Sequence, residues 1–249
     1  MLLKNDRGNY HFWKGIAPYS AGVVADPGFE IVHVRFMRAL PLAAGLARVR
    51  SEVLAAKRPI HALCGMALRS PAPFTFPGFT QFNNGYVKTL VEWDLLVDGQ
   101  NPVARTNVAP QVQPPREPAM YAFAYTVPST LKVKTFVVAG AGELPEGSLN
   151  PRDVVRHGET SPDALREKIR FVMGLMTSRL QGLGVSWDQV TTSNVYTVHD
   201  IGGEVENEIV QPMGAGAAHG FTWHYSRPPI ESIEYEMDLR GVRREIVLD

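Results

Sequence analysis

The first clear pattern is Phe29-Glu-Ile-Val-His-Val-Arg-Phe36, where apolar and polar residues alternate and β-branched types are frequent. It predicts a half-buried strand, entered through the turn pair Pro27-Gly28. The period then changes. Leu42, Leu46, Val49, Val53 and Leu54 recur at helical spacing between Pro41 and Arg58-Pro59, which predicts an amphipathic helix over 41–57. Ile60 to Leu68 is short and apolar and predicts a strand. Phe79 to Trp93 predicts a second helix, weakened by Gly85. Val103 to Ala109 and Ala119 to Val127 predict two strands joined by the proline-rich turn Pro110 to Pro118.

The second half runs through the same order. Thr135 to Ala139 predicts a strand. Ser161-Pro162-Asp163 then opens a helix with an N-cap serine, a proline in the first turn and an early acid. That helix is expected to run to Leu183 and stop at Gly184. Val190 to Val198 is a strand, Val205 to Met213 a short helix, and Phe221 to Tyr225, Ile230 to Met237 and Val242 to Leu248 are strands, the last two split at Arg240-Gly241. Each half thus reads strand, long helix, strand, short helix, strand, strand, which points to duplication of one unit. The expected division is into residues 1–130 and 131–249, with the junction within 128–134.

Composition narrows the classes. The 249 residues carry 25 basic and 25 acidic side chains and are 45% hydrophobic, ample for a packed core. Zero net charge argues against a nucleic-acid partner, which requires a basic surface. The single cysteine, Cys64, excludes an internal disulfide and a cysteine-based zinc site, and it reads as a packed small residue. The seven histidines are scattered, so no metal is expected. The opening Met-Leu-Leu-Lys-Asn-Asp-Arg lacks a secretory apolar run, and no stretch has membrane-span length; a cytoplasmic protein with no membrane partner is expected. Gly140-Ala-Gly142 lacks the third glycine of a dinucleotide fingerprint.

Three segments of the first half resemble the RidA/YjgF family of imine and enamine deaminases. They are Pro18-Tyr19-Ser20-Ala21-Gly22, Phe79-Thr-Gln-Phe-Asn83-Asn-Gly-Tyr86, and Pro102-Val-Ala-Arg105-Thr-Asn-Val108. The last has one extra residue between proline and arginine. In the second half, Val138-Ala-Gly140-Ala-Gly142-Glu-Leu-Pro145 is similar to the family's Ser-Gly-Gln-x-Pro loop. Leu180 to Asp200 follows its helix end and central strand, and Ser232-Ile-Glu234-Tyr-Glu-Met stands where its signature strand belongs. Each half has departed differently. Ile230 occupies the arginine position of the second half, Val34-Arg35-Phe36 replaces the glycine loop of the first, and the family's last-strand glutamate has no counterpart in 121–127.

The resemblance implies an α+β fold of tandem RidA-like (chorismate-mutase-like) modules, each a mixed sheet with two helices on one face. It implies one complete site shared between the halves, and a homotrimer giving six modules. It also implies a metal-independent, cofactor-free hydrolytic deaminase of an enamine or imine carboxylic acid. The tandem length is similar to that of long 2-aminomuconate deaminases of aromatic-compound degradation. In that reading Arg105 grips the substrate carboxylate, because guanidinium pairs bidentately and stays charged. Glu143 or Glu234 holds the attacking water, while Tyr19, Asn83, Asn107 and Gly142 contact substrate. Arg227, Arg69 or Arg35 meets a second carboxylate. Two other classes stay open: a non-catalytic module that binds 2-oxo acids, and a ribonuclease, which the charge balance disfavours.

Overall fold

The computed structural model describes residues 1–249. Two mixed sheets carry three helices. Short strands β1 (Leu2–Asn5), β2 (Tyr10–Trp13) and β3 (Gly22–Ala25) precede the long β4 (Phe29–Pro41) and helix α1 (Leu42–Ala55). Then come β5 (Leu63–Arg69), α2 (Phe76–Glu92), β6 (Ala104–Pro110) and β7 (Ala119–Pro128). The second half contains β8 (Phe136–Gly142), α3 (Pro162–Gly182), β9 (Thr192–Tyr196), β10 (Thr222–His224), β11 (Ser226–Arg227), β12 (Glu236–Gly241) and β13 (Arg244–Leu248).

Helix α2 begins three residues before the apolar pattern, because Thr75 accepts the Gly78 amide at 3.1 Å and Pro77 suits a first turn. Ser161 occupies the N-cap position of α3, but its hydroxyl donates to Asp163 Oδ1 (2.7 Å) rather than capping an amide. Gly184 ends α3 in the left-handed region at φ +68°. The expected helix at 205–213 is a π-type turn over Val205–Val210 between 3-10 turns. Glycines 202, 203, 214 and 216 flank it and disfavour regular helix, and Arg166 and Arg170 of α3 fasten it through Glu204 (2.7 Å) and Glu208 (2.6 Å). The strand expected over 230–237 starts only at Glu236 and continues through the expected break at Arg240-Gly241. There it pairs on both sides, with β8 and with β9.

One sheet has the order β1-β2-β3-β8-β12-β9-β10, the other β11-β6-β5-β7-β4-β13. Helices α1 and α2 cover the second sheet through Val49, Val53, Tyr86 and Leu90. Helix α3 covers the first through Ile169, Val172, Met176 and Leu180. A third cluster, including Tyr10, Phe12, Cys64 and Ala139, joins the two sheets. Strands cross the middle of the chain in both directions. Strands β1 to β3 extend the sheet otherwise formed by residues 136–241, with β3 antiparallel to β8. Strand β13 returns to lie parallel to β4, and β11 joins β6. The three N-terminal strands precede the first pattern read from the sequence, because four-residue strands carry too few alternations to register. No helix is long and apolar enough to cross a membrane.

Candidate active site

Where the sheets meet, a cavity of about 320 Å³ opens between β6 and α2 on one side and β8 and β12 on the other. Arg105 and Asn107 both point into it, because residues two apart share a strand face. Arg105 is only 3% exposed. Its Nη2 donates to Asn83 Oδ1 at 2.7 Å, its Nη1 has no partner, and no carboxylate stands within ion-pair distance. Four rings surround the guanidinium instead: Tyr86 at 4.7 Å, Tyr19 at 5.0 Å, Phe79 at 5.7 Å and Phe82 at 5.8 Å. Their faces supply cation–π attraction in place of a counter-ion. Burial lowers the Arg105 pKa, yet an arginine still remains cationic. Burial also pushes the Tyr86 phenol up to about 12 and raises Tyr19, so both rings are neutral.

Asn107 adds a second free donor. Its Oδ1 accepts from Ser70 Oγ at 3.0 Å, leaving the buried Nδ2 without a partner. Two unpartnered buried donors on one strand face are costly unless an acceptor arrives. Opposite stands Glu236, the first residue of β12 and 4% exposed. Burial pushes its carboxyl well above the usual range; Asp238 adds to the shift, and Arg179 and Arg105 oppose it. Gly140 makes room for it: a Cβ there would lie 2.2 Å from Glu236 Oε1. Arg179 of α3 braces the same wall, donating to the carbonyls of Ala139 (2.8 Å) and Gly140 (3.3 Å) and to Glu146 Oε1 (2.6 Å). The exposed Lys14 stands at the rim.

The cavity therefore gathers Arg105, Tyr19, Asn107 and Gly142, with Asn83 behind Arg105. Glu143, Glu234 and Arg227 lie outside it. The Glu143 side chain is fully buried, 3.0 Å from Lys168 Nζ, and accepts the amides of Glu234 (2.7 Å) and Tyr235 (3.0 Å). Its lone pairs are committed to holding the approach to β12. Glu234 Oε2 is 2.8 Å from His199 Nε2 and 3.7 Å from Arg227 Nη1, and Arg227 Nε donates to Gln111. Arg35 and Arg69 line a different cavity.

Sequence reasoning missed Glu236 and Arg179. In Glu234-Tyr-Glu236 it chose the first acid, and only the delayed start of β12 puts the second in the cavity. Arg179 and Lys168 both fall in the apolar stripe of α3, with Ile169, Val172, Met176 and Leu180. A charge within such a stripe signals a buried partner.

The family model described as 2-aminomuconate deaminase CnbZ matches residues 2–246. The chain belongs to the CnbZ family. Among curated proteins, the 2-amino-5-chloromuconate deaminase of Comamonas testosteroni is 46% identical over 244 residues, 97% of this chain and 96% of that one. A solved chorismatase covers 97% of this chain and 79% of its own at 10% identity and a TM-score of 0.47. The YjgF gene product of E. coli covers 44% of this chain and 81% of its own at 15% identity and a TM-score of 0.26. As a CnbZ-family member the protein is a deaminase, an enzyme acting on a carbon–nitrogen bond.

Proposed function

We propose that the chain hydrolyses 2-aminomuconate, or a ring-derived substituted analogue, to the corresponding oxo acid and ammonia in the cavity between Arg105 and Glu236. The observation that carries this is the pairing of two free donors on β6 with a proton-holding carboxyl on β12. The carboxylate next to the amino-bearing carbon forks onto Arg105 Nη1, and Asn107 Nδ2 donates beside it. The distal carboxylate lies toward Lys14 and Arg179.

Glu236, protonated in the resting cavity, gives its proton to the carbon next to the amino-bearing one, and the double bond shifts to form a C=N iminium at the amino-bearing carbon. The resulting carboxylate takes a proton from water as the water oxygen bonds to the amino-bearing carbon and the C=N pair moves to nitrogen. Glu236 then returns the proton to nitrogen. The C–N bond breaks and ammonia departs as the hydroxyl gives its proton to the Glu236 carboxylate and becomes the carbonyl, which restores the protonated resting acid. Arg105 stabilises the substrate carboxylate throughout and draws electrons from the reacting carbon. This route is hydrolytic and uses no metal.

The assembly in this reading is a homotrimer, the closed arrangement of three two-unit chains. Sedimentation of the purified protein tests it, and a monomer would overturn that part. The chemistry is tested by ammonia release from 2-aminomuconate. Tight binding of the oxo acid with no ammonia released would replace the enzyme reading with that of a binding module.

A further inference from the structure

A second cavity, of about 310 Å³, lies between the facing sheets. Thr106 lines it, whereas its neighbours Arg105 and Asn107 line the first cavity, so the two voids sit on opposite faces of β6. Arg69, at the end of β5, is 7% exposed and lines this void. Its guanidinium lies 3.9 Å from the Tyr121 ring centre and 5.7 Å from that of Tyr196. Its one hydrogen bond goes from Nη1 to the Leu68 carbonyl at 2.9 Å, and no acid pairs with it. The remaining donors of a planar fork are free.

The surrounding groups do not neutralise it. Asp238, the nearby acid, is taken up by Asn194 Nδ2 and the Tyr196 hydroxyl, each at 2.8 Å. Arg240 is paired with Glu245 at 2.6 Å. His33 and His224 are neutral at pH 7: burial lowers both, His33 well below its usual value and His224 to about 4. Arg35 contributes a further exposed cation at the edge, with no ion pair. Met66, Phe123, Val137 and Leu239 give the void an apolar wall.

We propose that this inter-sheet cavity is a second ligand site, for a small organic carboxylate whose acid group forks onto Arg69 while its carbon body lies along the apolar wall. One buried guanidinium flanked by tyrosines suits a planar carboxylate better than a phosphate, which draws a cluster of cations or amides. The site is independent of the reading given to the first cavity, since none of its groups serves there.

Muconate, which lacks the amino group, is the probe. Calorimetric titration of the full chain is expected to show two classes of site. Arg105→Met removes one class and Arg69→Met the other. Thr222→Trp, at an exposed residue of the rim, closes the second cavity without touching its buried groups. It is expected to reproduce the Arg69→Met titration, which keeps the test valid if the arginine variant folds poorly. Unaltered muconate stoichiometry in both second-cavity variants overturns the proposal, as does complete loss of binding in Arg105→Met. Either result leaves the first-cavity reading to its own assay.

Discussion

Replacing Arg105 by methionine keeps the stem among the rings of Tyr19, Tyr86 and Phe79 and removes the fork. Its Nη1 is unpartnered, and Nη2 has one bond, to Asn83. A bound carboxylate therefore gains about two charge-assisted hydrogen bonds, each worth about 1.5–3 kcal/mol in a buried site. Losing both costs about 3–6 kcal/mol, or about 10²–10⁴-fold in kcat/KM. Arg105→Lys keeps the charge and one bond, so its loss is about 10–100-fold. The fold should survive, because the stranded Asn83 oxygen costs about 1–3 kcal/mol while an unpaired buried cation disappears. Steady-state ammonia release gives the rates, and thermal unfolding checks the fold. A folded methionine variant within about threefold of the parent, or lysine and methionine variants falling equally, would refute the carboxylate fork.

Glu236→Gln should lower turnover by about 10²–10⁴-fold and flatten the alkaline arm of the residual pH–rate profile; an unchanged arm would remove Glu236 from the proton path. The same group makes a stability prediction. An acid whose folded pKa is raised holds more protons when native, so stability falls as pH rises from the unfolded value of about 4.5 through the folded one. Chemical denaturation across that window should show the parent declining relative to Glu236→Gln. Gly140→Ala drives a methyl to within 2.2 Å of Glu236 Oε1, so activity should collapse with secondary structure intact by circular dichroism. Gly85→Ala on α2 meets nothing within 4 Å and should stabilise the chain by about 0.5–1 kcal/mol, read as a raised denaturation midpoint. Glu143→Gln breaks a fully buried pair with Lys168 and should cost about 3–5 kcal/mol in urea unfolding; a loss below about 1 kcal/mol would mean that Lys168 finds another partner.

The long elements were legible because their patterns are long. Strand β4 alternates apolar and polar residues over the eight positions Phe29–Phe36, and helices α1 and α3 each bury one repeating face over elements of more than ten residues. The pairing partners were not legible. Nothing local in Leu2–Asn5 or Arg244–Leu248 tells which sheet will accept it, since partner choice depends on where edges are left open. The same holds in the cavity. Arg105 and Asn107 could be placed together by strand periodicity, but Glu236 required knowing that Ile230 to Tyr235 stays irregular. That segment is held by Phe74, whose amide donates to the Pro229 carbonyl and whose carbonyl accepts the Glu231 amide, and by Glu143 accepting the amides of Glu234 and Tyr235, a tertiary arrangement with no periodic signature.

The reciprocal loan of β1 to β3 and β13 has a consequence for how this enzyme can be taken apart. Cleaving the polypeptide near position 130 would yield two fragments, each carrying edge strands that the other requires. Neither fragment would own a finished sheet, so each alone should remain sticky and poorly soluble, whereas the mixed pair should reassemble. Such mutual dependence also frees each half from keeping every motif, because the two can never drift apart to work alone.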